Sequence, residues 1–233
     1  MRRLHTFTSS ALLLGLLVIG HSSLAQQDTK PARKAEPSPQ IQAGLLAGEL
    51  ATYGYNHKDA LPLATAAQIM LQHPPRPLTS QKQEAGAANT TSPGTKTERT
   101  AATLDPTKLL ADARQMATAD AATLALIDKL EKTPKSRGRV YGPANVTRRV
   151  EAGSVYTDFI LFEGNALAEV VIIGDGDCDL DLYVYDENGN LIAKDDDNTD
   201  RCYVSFVPSR QSSFRIRVVN RGNVYANYVL MSN

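Results

Sequence analysis

The residues best suited to chemistry lie in one run. "GDGDCDLDLYVYDENGN", from Gly174 to Asn190, sets Asp175, Asp177, Asp179 and Asp181 at alternate positions around Cys178 and adds Asp186 and Glu187. Carboxylates this close repel one another, and a hard cation with oxygen ligands is the usual relief. Their spacing matches the alternating oxygens of an EF-hand, with Asp186 at position twelve. Position six, however, is Leu180, where that loop's sharp turn needs glycine. The EF-hand reading fails. A different calcium site is the expectation instead. Asp177 and Asp179 at a strand entrance could converge with Asp195, Asp197 and Asp200, which lie in the loop before Cys202. Calcium is the one cofactor suggested.

A catalytic reading finds less support. Paired carboxylates can hydrolyse glycosides, but these acids cluster at a strand end with no sign of a cleft wall to raise one pKa. His57 and His73 fall at helix edges, remote in sequence from the acids. No G-x-S-x-G, H-E-x-x-H or phosphate-cradling glycine loop occurs. The catalytic set is empty, and the expectation is a protein that is not an enzyme.

The elements that must position these residues read as strands. In "DLDLYVYD", Leu180, Leu182 and Val184 alternate with Asp179, Asp181, Tyr183 and Tyr185, so the apolar set turns to a core and the rest outward. Asn188-Gly189 supplies a tight hairpin turn. The same period of two recurs at 155–162, 168–173, 179–186, 190–193, 202–207, 214–219 and 225–231, with glycine, proline and asparagine between the runs. Seven short strands at this spacing indicate an antiparallel β-sandwich. Tyr183, Tyr185 and Tyr203 form its candidate ligand surface.

Before Tyr141 the period is 3.6. Ile41, Leu45, Leu46, Leu50 and Tyr53 make one helical stripe, which "GYN" is expected to break at Gly54. Leu63, Ala66, Ala67 and Met70 make a second, closed by His73-Pro74-Pro75. Asp105-Pro106 is a strong start, an acceptor cap followed by proline at the first helical position. Asp120 caps a fourth helix bearing Leu124, Ile127 and Leu130. Two helical hairpins result, expected to pack as a small four-helix unit. Between them, residues 76–103 are rich in Gln, Thr, Ser, Gly and Ala with no apolar period, and read as a disordered insert. The expected organisation is thus a signal over 1–25, a linker over 26–40, a helical domain over 41–135, a connector over 136–146 and a sandwich over 147–233.

The 233 residues carry 25 basic and 25 acidic groups, but unevenly. Residues 26–139 hold 15 Lys and Arg against 11 Asp and Glu, while 148–233 hold 8 against 14. Neither part is basic enough for a nucleic-acid surface. Arg2 and Arg3, the apolar "ALLLGLLVIG" and Ser23-Leu24-Ala25 match an export signal. That apolar run is too short to span a bilayer, and no membrane span is expected in the mature chain. An exported protein, periplasmic or extracellular, meets an oxidising compartment, so Cys178 and Cys202 are expected to form a disulfide. Both fall in phase with core-facing positions.

"DGDCDLDLYVYDENGNLIAKDDD", followed by "CYVSFVP" and "FRIRVVNRGNVYANYVL", resembles the bacterial pre-peptidase C-terminal domain family over about residues 146–233. The most specific part is D-x-D-L-Y-V-Y-D-x-x-G, from Asp179 to Gly189. The resemblance implies a jelly-roll-like sandwich serving as an accessory module on exported proteins, with calcium-binding relatives that hold extended polymers. No peptidase domain accompanies it here. The expected function is a non-catalytic exported protein whose sandwich binds a protein or polysaccharide. The alternatives are an accessory or cryptic hydrolase acting on carbohydrate or peptide, and a helical-repeat adaptor for a partner peptide.

Overall fold

A computed structural model describes residues 36–80, 83–86, 94–96, 103–133 and 142–233. The export signal, most of the 26–40 linker, much of the 76–103 insert and residues 136–141 of the connector lie outside the described residues. Among the described residues there are four helices in the N-terminal part: α1 (Pro39–His57), α2 (Ala60–Gln72), α3 (Pro106–Met116) and α4 (Ala121–Glu131). The described residues also form ten strands, the first two between α2 and α3: β1 (Arg76–Pro77), β2 (Gln83–Ala85), β3 (Ala144–Val150), β4 (Val155–Phe162), β5 (Ala168–Ile173), β6 (Leu180–Tyr185), β7 (Leu191–Asp195), β8 (Arg201–Phe206), β9 (Ser212–Asn220) and β10 (Ala226–Ser232). The fold class is the expected one, helices followed by an antiparallel sandwich.

The caps act where the sequence places them. Asp105 accepts from the Thr107 amide at 2.9 Å, and Asp120 accepts from Ala122 and Thr123. Each satisfies donors that a helix start leaves unpaired. Gly54 does not end α1, contrary to expectation. It is buried against α2, where a Cβ would meet the Leu63 side chain at 2.8 Å. The helix runs on to His57, where a left-handed Lys58 caps it. Here glycine permits close approach rather than a break.

One five-stranded sheet, in the order β1-β3-β10-β5-β8, faces another in the order β2-β4-β9-β6-β7. We call them sheets A and B. Apart from the parallel β1–β3 pair, their ladders are antiparallel. Between the sheets lies a core of Val170, Ile172, Leu180, Leu182, Val184, Val204, Phe214, Ile216, Tyr228 and Leu230. Phe162, Phe206 and Phe214 close one end, with ring centroids 4.8–5.9 Å apart. Strand β3 went unforeseen, because one inward position in "ANVTRRV" is charged. Arg148 reaches across to the buried Asp158 of β4 at 3.1 Å. Pairing is the usual condition for burying a charge.

The helices are not a tethered domain. A second core joins Ile41, Ala47, Leu63, Met70, Leu109 and Ile127 to Val171, Ile173, Val229 and Met231 on the outward side of sheet A. At α1 the approach is tight: a Cβ on Gly44 would lie 2.6 Å from Met231 Sδ, and one on Gly48 2.5 Å from Ile173 Cδ1. The buried Glu169 on β5 accepts from the Ser38 amide at the start of α1 (2.8 Å) and from the Tyr203 hydroxyl (2.9 Å). A carboxylate suits a helix N-terminus. Nor is the insert wholly detached. Residues 76–77 extend sheet A, residues 83–85 extend sheet B, and Gly94 donates to the Asn223 carbonyl. An apolar pattern was no guide, because these segments are held by backbone pairing.

Gly48→Leu is expected to lower stability by about 1–3 kcal/mol through overpacking against Ile173, measured by urea unfolding. Gly48→Ala should cost less, because Ile173 Cδ1 is the free end of a side chain.

Candidate functional site

Two places merit a functional reading, the aspartate cluster before β6 and the outer face of sheet B. In the cluster, Asp175 and Asp177 converge on an ammonium group. Lys96 Nζ donates to Asp175 Oδ2 at 2.8 Å, to Asp177 Oδ1 at 2.6 Å and to the Tyr225 carbonyl at 2.8 Å. It also lies 4.7 Å from the centre of the Tyr225 ring. Asn227 donates to Asp175 through its amide and its side chain. Burial raises the Asp175 carboxyl above its usual range, and Lys96 offsets this only in part. Burial also opposes ionisation of Asp177, but hydrogen bonds from Lys96 and the Cys178 thiol outweigh it and hold that carboxyl low.

The expected calcium ligands do not assemble. Among the described residues, the group whose ligand atoms gather within 4.8 Å is Asp175, Asp177 and Cys178. Only Asp177 of the five expected ligands belongs to it. The others serve their own loops: Asp195 accepts from the Tyr203 amide, Asp197 from Thr199, and Asp200 from the Gly176 amide at 2.6 Å. Asp179 is not in that group; its carboxyl is raised by burial, then by Asp181 and by Asp197, with Arg221 opposing, and its Oδ1 is unpartnered among the described residues. Calcium takes six to eight oxygens, and here a lysine stands on three of those that converge. The set does not fit calcium while Lys96 is in place. A sequence pattern could not reveal this, since Lys96 lies 79 residues from Asp175.

The expected disulfide is also corrected. Cys178 and Cys202 are free thiols. Cys178 lies in the loop before β6, with its thiol donating to Asp177 at 3.3 Å and near the Val224 and Tyr225 carbonyls. Cys202 is buried on β8 and donates to the Leu180 carbonyl at 2.9 Å. Burial, then the Asp177 carboxylate, pushes the Cys178 thiol up to about 12. Burial, then the surrounding aspartates, raises Cys202 as well.

The outer face of sheet B is built by strand alternation. Phe214, Ile216 and Val218 of β9 turn inward, leaving Arg215 and Arg217 outward. The register sets Arg217 between Thr157 of β4 and Tyr183 of β6, and Arg215 between Phe159 and Tyr185. Beyond them, on β7, Lys194 pairs with Tyr183 and Leu191 with Tyr185. Both guanidinium groups lie over the Tyr185 ring, at 4.9 Å for Arg215 and 5.8 Å for Arg217. Asp181 sits at the end of this face, buried beneath Arg221, whose Nε donates to it at 2.6 Å. Lys194 pairs with Asp196. Among the described residues Arg215 and Arg217 have no carboxylate partner.

Of the three expected surface tyrosines, Tyr183 and Tyr185 belong to this face. Tyr203 does not: it packs against the helical core, and its hydroxyl is bound to Glu169. Burial, then that carboxylate, raises it to about 12. The arginines were missed although "FRIRV" carries their alternation openly.

No known family profile matches the chain, and no curated protein matches it. Solved structures similar to parts of it include the pre-peptidase C-terminal domain of a Bacillus anthracis collagenase. That one is 11% identical with a TM-score of 0.31, covering 39% of this chain and 89% of that one. Another is a periplasmic inhibitor of g-type lysozyme from Aeromonas hydrophila, at 12% identity and a TM-score of 0.28, covering 39% and 86%. A third is a xylan-binding CBM22-1 domain from Paenibacillus barcinonensis, at 10% and 0.23, covering 42% and 88%. At these scores no property passes from them to this chain.

Lys96→Met should cost about 3 kcal/mol, since it strands two close, desolvated carboxylates. Millimolar calcium is expected to recover part of the lost melting temperature in that variant and to leave the parent unmoved. A parent stabilised by calcium would contradict Lys96 as the resident cation. Thiolate is the reactive form of cysteine, so neither thiol should react with a disulfide reagent at pH 8 in the native protein. Both should react after denaturation without reductant.

Proposed function

We propose that this is a non-catalytic exported binding protein, in which a helix-backed sandwich presents the outer face of sheet B to an extended ligand. The observation that carries this reading is the Tyr183–Tyr185 pair with Arg215 and Arg217 on a face that no described helix covers. Helices cover the corresponding face of sheet A, so sheet B offers the broad surface. Aromatic rings contribute large contact area at small entropic cost, and Tyr and Arg are the residues that most often dominate binding energy. The ligand class is a polysaccharide or an extended protein. Among the described residues, no helix is long and apolar enough to cross a membrane.

The hydrolase alternative needs a carboxylate free to accept a proton beside a substrate. Most acids near the sandwich are bound up instead: Asp158 by Arg148, Asp181 by Arg221, and Asp175 and Asp177 by Lys96, while Asp179 keeps one oxygen unpartnered among the described residues. An open cavity of about 570 Å³ lies between the end of α2 and β3. Arg76 and Asp105 are its charged residues, and Met70, Leu71 and four prolines form much of its wall. The adaptor alternative needs a free apolar groove on the helices. Most of their apolar residues pack on one another and on sheet A, and Leu46 and Tyr53 of the α1 stripe and Leu61 of α2 are left exposed.

The test is electrophoresis of the full mature chain through gels containing dissolved polymer: xylan, pectin, alginate or gelatin. Retardation by at least one is expected. Tyr183→Ala with Tyr185→Ala should weaken it about tenfold or more while the circular dichroism spectrum stays the same. A chain that runs unretarded in all of them would rule out this reading.

A further inference from the structure

We infer that the ligand of this face is an anionic polysaccharide, its carboxylates held by Arg215 and Arg217 and its sugar rings stacked beside them on Tyr183. This rests on the binding-module reading and narrows its substrate class. Three observations carry it.

First, the local charge runs against that of the surrounding sequence. The part of the chain from residue 148 onward is acidic, yet among the described side chains of this face Asp181 is already matched by Arg221 and Asp196 by Lys194. That leaves two guanidinium groups without a carboxylate among the described residues. A planar guanidinium is the side chain best shaped to take a carboxylate through two parallel hydrogen bonds.

Second, the geometry is repetitive. Arg215 and Arg217 are two residues apart on β9, as are Tyr183 and Tyr185 on β6, so each pair repeats at about 7 Å along its strand. The register sets the two pairs side by side. Stacking on Tyr185 fixes both guanidinium groups in advance, which lowers the entropic cost of binding. Such a ladder fits a ligand that offers a ring and an anion at regular intervals.

Third, the surface is a sheet face rather than an edge. A peptide strand added to a sheet binds through unpaired backbone groups at an edge, and those of β6 and β9 are engaged with neighbouring strands. Recognition here falls to side chains alone. A sugar ring, with its apolar face and peripheral hydroxyls, meets tyrosine and arginine without needing a backbone ladder.

The experiment uses the full mature chain and four polymers: polygalacturonate, the same backbone as highly methyl-esterified pectin, neutral xylan, and poly-L-glutamate. Polygalacturonate is expected to retard the chain, and the other three much less. The retardation should fall as salt rises and weaken about tenfold for each of Arg215→Ala and Arg217→Ala. Arg215→Lys with Arg217→Lys, which keeps the charge and loses the fork, should recover only part. Equal retardation by esterified pectin or xylan would overturn the anionic class while leaving a binding module standing. Equal retardation by poly-L-glutamate would overturn the sugar and assign the face to acidic peptides. A chain retarded by no polymer would overturn both readings. A dimer that dissociates on the same arginine substitutions would assign the face to a second copy and overturn the proposal.

Discussion

The close seating of α1 on sheet A is the constraint on which the rest of the structure depends. Two glycines one turn apart, Gly44 and Gly48, bring the helix backbone down onto Met231 and Ile173. Glu169 meets the amide that opens the helix. Because of this contact sheet A is covered on both sides. Every residue of β5 is buried, as expected of a strand sandwiched between two apolar layers. The helices thereby form a third layer, and they leave sheet B with the one broad sheet face that no helix of the described residues shields.

Electrostatics follows the same economy. The chain has many acids near β6, and the structure sets its own cations against several of them. Lys96 enters from the segment between α2 and α3 and sits on two carboxylates and a carbonyl. Arg221 covers Asp181, and Arg148 reaches Asp158 between the sheets. A pair like Lys96 with Asp175 and Asp177 need not add net stability, since desolvation offsets attraction. Removing one partner is what costs. Lys96 thereby fastens a long connection to the sandwich at a point where no apolar contact would have predicted it.

Tyr185 shows how packing and function can share a residue. Its ring supports two guanidinium groups that have no other ionic partner among the described residues. Such stacking stabilises the face and also holds the forks ready. Tyr203, alike in sequence setting, was drawn instead into the contact between β8 and the helices. Two tyrosines with the same alternation thus ended in opposite environments, decided by which sheet each strand joined.

The sequence by itself determined the helices with their caps, the inward leucines and valines of β6 and the period-two runs of the sandwich, because these depend on neighbours within a few residues. The alternating arginines of β9 were equally legible, and so was the apolar run Val170–Ile173 within β5, a sign that both faces are covered rather than of a period of two. Only the tertiary structure decided that the helices lie on sheet A, that Lys96 sits on Asp175 and Asp177, and that the two thiols point to different partners. Each of those outcomes joins groups tens of residues apart. Charge pairing across such distances leaves no period in the chain, since one lysine in a polar segment looks like any other until the fold brings it to its carboxylates.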